Sequence, residues 1–64
     1  MASYEREVKT KLSQNGCFFQ RHGKGDHDIW FSPITKLPIT VDHKIVSRHT
    51  ANGIMKRAGI KHHF

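Results

Sequence analysis

Two aromatic-rich runs, Cys17–His22 and His27–Ser32, stand on either side of Gly23-Lys24-Gly25-Asp26, and this punctuation constrains the fold more than any other stretch of the chain. Segments rich in β-formers and joined by a short glycine-containing loop read as a hairpin. The two glycines also allow backbone conformations that a side chain would forbid. A phosphate can then come close to backbone N–H groups, a lysine and an imidazole.

The pattern does not say which face of the hairpin is core. Ile29 and Phe31 share one face with His27, whereas Trp30 shares the other with Asp28. Ser32-Pro33-Ile34-Thr35-Lys36 reads as a second turn, leading to Leu37, Ile39 and Val41 at period two. Pro38 within that run lacks an N–H, so the third strand is expected at a sheet edge.

Helical patterns flank the strands. Tyr4, Val8 and Leu12 recur every fourth residue, with Ser3 as the expected cap, Glu5 and Glu7 at the positive end, Lys9 and Lys11 at the negative end, and Asn15-Gly16 as the stop. After the loop from Asp42 to Val46, Ser47 can cap a second helix that buries Ala51, Ile54, Met55 and Ala58 and ends at Gly59. Asn52-Gly53 is its weak point, because glycine within a helix costs about 1 kcal/mol relative to alanine. The expected fold is α+β, in the order α-β-β-β-α, with a three-stranded antiparallel sheet and two helices on one face.

Sixty-four residues suit one small domain over 1–64, with a core worth about 3–5 kcal/mol of net stability. The lone cysteine, Cys17, cannot form an internal disulfide, and nothing has the ligand spacing of a zinc finger. Met1 to Lys11 carry charges throughout, so the reading expects no signal peptide, no membrane span and a reducing, cytoplasmic setting. Eleven Lys and Arg against five Asp and Glu give a formal charge of +6, and there are six histidines. Such a balance on so small a domain favours nucleic acid or an acidic protein as partner.

From Glu7 to Ile60 the chain resembles the HicA family of bacterial toxins. The residues that carry the resemblance are Asn15-Gly16 and an aromatic strand ending in Arg21; then Gly25-Asp26-His27 with Trp30 and Pro33; then Val41 and His43; and finally Thr50 leading to Ile54-Met55-Lys56-Arg57-Ala58-Gly59-Ile60. No single piece is specific, but the order and spacing together are. The resemblance implies a double-stranded-RNA-binding-like fold, a messenger-RNA-cleaving activity, and a cognate HicB antitoxin covering the turn that holds His27. In that family the histidine of a Gly-Ser-His turn at the start of the second strand is catalytic, which makes His27 its counterpart. Asp26 stands where serine is usual. Arg48-His49 replaces a commoner Pro-Gly at the second helix.

The chemistry agrees with that assignment. RNA carries its own nucleophile, a 2′-hydroxyl that attacks the adjacent phosphate once a base removes its proton, and histidine titrates near neutrality. Charge developing on the phosphate is met by Arg21, Lys24 and the N–H groups of Gly23 to Gly25. His43 and Arg48, before and at the start of the second helix, are candidates for tracking the RNA backbone. The bland alternatives are a hairpin histidine bonded to Asp26 or Asp28, and a solvated charged loop around His43 and Arg48. No metal and no organic cofactor is expected, and the tail Lys61-His62-His63-Phe64 reads as a frayed basic end. Phe18, Phe19, Trp30 and Phe31 are core by default, although one on an open sheet face can stack a base. The rival function is a non-catalytic RNA-binding module of the same fold; a third is a domain that binds an acidic protein.

Overall fold

The structure, a computed structural model, describes residues 3–64. It orders them as α1 (Glu5–Gln14), β1 (Phe18–His22), β2 (His27–Ser32), β3 (Leu37–Asp42) and α2 (Arg48–Ala58). The first two positions of the charged N-terminal stretch lie outside the described residues.

Helix α1 forms where the every-fourth-residue stripe leads. Val8 and Leu12 are fully buried, and Tyr4 packs against the same core. The expected cap differs in detail, because Tyr4 occupies the N-cap position without a side-chain bond. Ser3 instead accepts the Glu5 N–H at 3.3 Å and donates to the Ile45 carbonyl at 3.2 Å, tying the helix start to the segment before α2. At the other end Gly16 takes a φ of +82°. The Cys17 N–H then reaches Leu12 O at 2.9 Å and the Gly16 N–H reaches Ser13 O at 3.1 Å. This paired closure satisfies carbonyls that the helix leaves free, and it needs a left-handed residue.

The sheet is antiparallel in the order β1-β2-β3, which leaves β3 and its Pro38 at an edge as the missing N–H requires. Burial resolves the ambiguous parity of β2. Asp28, Trp30 and Ser32 turn inward, whereas His27, Ile29 and Phe31 lie on the opposite, open face. Trp30 pairs across the sheet with Ile39, and Asp28 with Val41. Ile39 and Val41 are completely buried and share one core with Met55, Ala51 and Ala58 of α2. Helix α2 packs on β3 and α1 packs on α2, so both helices cover one face of the sheet. Each fully buried aliphatic side chain there contributes about 1.5–3 kcal/mol.

Strand β1 differs from the aromatic core that its sequence suggests, since every residue from Phe18 to His22 is exposed. The register with β2 shifts between Phe19 and Arg21, which leaves Gln20 as an extra residue. Because of that bulge, Phe18 and Arg21 lie with Phe31 and Ile29 on the open face, while Phe19 and His22 lie with Trp30 and Asp28 on the helix side. Of the four aromatics expected in the core, Trp30 alone is buried.

Further contacts join the ends of these elements. The buried Ser32 hydroxyl donates to Ala58 O at 2.7 Å and accepts the N–H groups of Ile34 and Thr35, joining the end of β2 to the end of α2. Ser47 caps α2 by accepting the Thr50 N–H, and Gly59 ends it at a φ of +78°. Asn52-Gly53 is helical. Its asparagine Oδ1 accepts the Phe64 N–H at 2.7 Å, and the Phe64 ring meets Tyr4 edge-on at 5.5 Å. The tail is therefore docked rather than frayed. Among the described residues no helix is long and apolar enough to cross a membrane.

Candidate functional site

The glycine turn is built tightly. The Gly23 N–H donates to His27 O at 2.9 Å, and the His27 N–H donates to Lys24 O at 3.3 Å. A Cβ on Gly23 would stand 3.2 Å from both His27 O and the Ile29 side chain, while Gly25 holds a φ of +60° in open space. The expected phosphate-facing N–H of Gly23 is thus spent within the turn. Those of Lys24, Gly25 and Asp26 take no part in the turn's backbone hydrogen bonds.

His27 opens β2 directly opposite Asp42, the last residue of β3. Its Nδ1 lies 2.5 Å from Asp42 Oδ1, with side chains 48% and 40% exposed. An ionised carboxylate only accepts, so the proton sits on Nδ1. In the neutral ring Nε2 then carries the lone pair. His27 is accordingly bonded neither to Asp26 nor to Asp28, the partners that sequence proximity suggests.

A second group lies beneath it, on the helix side. Asp28 Oδ1 receives His22 Nδ1 at 2.9 Å and His43 Nε2 at 3.0 Å, and the carboxylate is only 10% exposed. A carboxylate so nearly buried needs such donors. Hydrogen bonds from His43 and then His22 hold the Asp28 carboxyl below the ordinary carboxylate range, against the opposing cost of burial. The same bond to Asp28 raises His43 above its usual value, with the charges of Asp28 and Asp26 adding to it and burial and Lys9 opposing. The charge of Asp26 thus acts on His43. The His43 N–H also donates to Asp26 O at 2.8 Å, which fixes the exit of β3 to the glycine turn.

The structure therefore brings five of the six sequence-predicted residues to one end of the sheet. His27, Lys24 and Gly25 belong to the turn and its exit; Arg21 lies on the same open face two rungs away; and His43 is tied to the turn with its ring on the opposite side. Arg48 is exposed as the first residue of α2 and makes no hydrogen bond or ion pair with this group among the described residues. Sequence reading offered Asp28 as a partner of His27, and identified neither Asp42 in that place nor the pairing of Asp28 with His22 and His43. Asp42 had a signal: pairing Ser32 with Leu37 around the second turn and counting back residue for residue meets His27 with Asp42. Among the described residues no group of three or more His, Cys, Asp or Glu side chains is placed to hold a metal ion.

The family model of HicA, the toxin of bacterial toxin-antitoxin systems, matches residues 6–60. The chain belongs to the HicA toxin family. The matched span of this HicA-family chain includes β1, β2, β3 and α2 entire, and hence every residue of both histidine groups. No curated protein and no solved structure gives a match.

Proposed function

We propose that this HicA-family chain is an endoribonuclease that cleaves messenger RNA as the toxin of its system, with His27 as the proton-transferring residue and Asp42 as its positioning partner. The observation that carries the reading is the contact between His27 Nδ1 and Asp42 Oδ1, which leaves Nε2 without a partner among the described residues, next to the glycine turn that carries Lys24.

In this reading Nε2 accepts the proton of an RNA 2′-hydroxyl. The 2′-oxygen forms a bond to the adjacent phosphorus, the bond from phosphorus to the 5′-oxygen breaks, and the proton passes on to the departing 5′-oxygen. The products are a 2′,3′-cyclic phosphate and a 5′-hydroxyl, and no step calls for a metal or an organic cofactor. Arg21, the Lys24 side chain and the Gly25 N–H stabilise the charge that builds on the phosphate. His43, whose pKa the hydrogen bond to Asp28 raises, lies at the same sheet end, and Arg48 extends the basic path towards the start of α2. A HicB-like antitoxin with an acidic surface restrains the toxin by covering this turn, and charge complementarity suits a chain of +6.

The test is direct. Purified protein should shorten a defined transcript, and a single 2′-deoxynucleotide at the cleaved position should block cleavage there. Binding without shortening would make the chain a non-catalytic RNA-binding module instead.

A further inference from the structure

The open face of the sheet carries a second, ordered arrangement of residues. Register places three rows across it: Phe18–Phe31–Pro38, then Arg21–Ile29–Thr40, then His27–Asp42. Both helices lie on the other side, so no described element covers these rows. Phe18 is 52% exposed, and its ring centroid lies 5.6 Å from that of Phe31 in a tilted pair. The face therefore runs from an aromatic platform, through a cation, to the imidazole of the proposed catalytic pair. Arg21 makes no ion pair among the described residues, so its charge is available to a ligand.

We infer that this face is a binding site for unpaired RNA, in which a base stacks on Phe18 and Phe31 while the backbone passes Arg21 to bring a phosphate to His27. The inference rests on the RNA-cleaving reading above and specifies its substrate as single-stranded. Three strands at about 4.8 Å spacing give a platform about 10 Å wide, enough to seat a base. Phe31 and His27 are four residues apart along one strand, about 13 Å at the usual rise. A base on the platform thus belongs to a neighbouring nucleotide rather than to the one whose bond breaks. In a duplex the bases are already stacked on one another and cannot reach a flat aromatic face. A protein partner on the same rows would be held by apolar area, for which leucine serves nearly as well as phenylalanine. Base stacking needs the ring.

The experiment measures equilibrium binding of a labelled single-stranded oligoribonucleotide, and of a hairpin duplex of the same length, to the His27→Gln protein. Single-stranded RNA should bind more tightly than the duplex. Phe18→Leu in that background should weaken single-strand binding about tenfold, with the salt slope unchanged because no phosphate contact is lost. Phe31→Leu should act in the same direction, with folding verified by the thermal midpoint of each variant. Unchanged single-strand affinity in both leucine variants overturns the inference while leaving the cleavage reading intact. The same is true if Phe18→Leu weakens only association with an antitoxin. Failure of the His27→Gln protein to bind any RNA overturns both.

Discussion

Asp42 lies directly across the sheet from His27 and holds its Nδ1 at 2.5 Å through Oδ1. The carboxylate thereby sets which ring nitrogen keeps the proton and in which direction the other points. Asp42→Asn leaves the shape of the contact but presents an amide that need not accept from Nδ1. Cleavage should fall about tenfold or more, while RNA affinity stays near that of the unaltered protein. Single-turnover rates beside binding isotherms check this; a matched loss of affinity would place Asp42 in binding instead.

The buried carboxylate of Asp28 gives stability a pH dependence whose sign follows from its partners. Its pKa is lowered from 3.8, so the stabilisation it brings is present above that value and is lost as pH falls through the lower folded value. His43 is raised from 6.5, so its contribution is complete below that value and is lost as pH rises through the higher folded one. Stability from this pair should be greatest between the two and decline on the alkaline side. Thermal midpoints measured across that range should show the decline, and Asp28→Asn should flatten it.

Two glycines of the second helical region should respond in opposite ways. At Gly59, with φ +78°, a Cβ would come within 2.8 Å of Ile34 Cγ2 and 2.9 Å of Thr35 Cγ2. Gly59→Ala should therefore destabilise by about 1–3 kcal/mol. At Gly53 an added Cβ meets nothing within 4 Å inside a regular helix, so Gly53→Ala should stabilise by up to about 1 kcal/mol. Denaturant unfolding of the two variants reads both signs.

Much of the fold is legible in the sequence because its signals are local. The glycine turn, the left-handed stops at Gly16 and Gly59, the Ser47 cap and Pro38 at an edge each follow from a residue's own conformational limits. The exposure of Phe18 and Phe19 does not. It depends on α2 resting over β3 and on a bulge at Gln20, neither of which leaves a mark within the aromatic run. Parity in β2 is hidden for a related reason: Ile29 and Phe31 are as apolar as Trp30, and only the position of the helices chooses between them. In the candidate site, His27 stands out through the glycine turn and the family resemblance. Its partner Asp42 requires the register of the second turn. The pairing of Asp28 with His43 requires the path of the chain after β3, which the Asp26 carbonyl fixes and no periodicity reveals.

The central claim is that the imidazole of His27 moves the proton in RNA cleavage. The measurement that tests it most directly is single-turnover cleavage of one defined transcript by the unaltered protein and by His27→Gln, with RNA affinity determined on the same samples. The account predicts a loss of at least about a hundredfold in rate, the usual scale of a positioned acid or base, with affinity little changed. Cleavage by His27→Gln at the rate of the unaltered protein would contradict it.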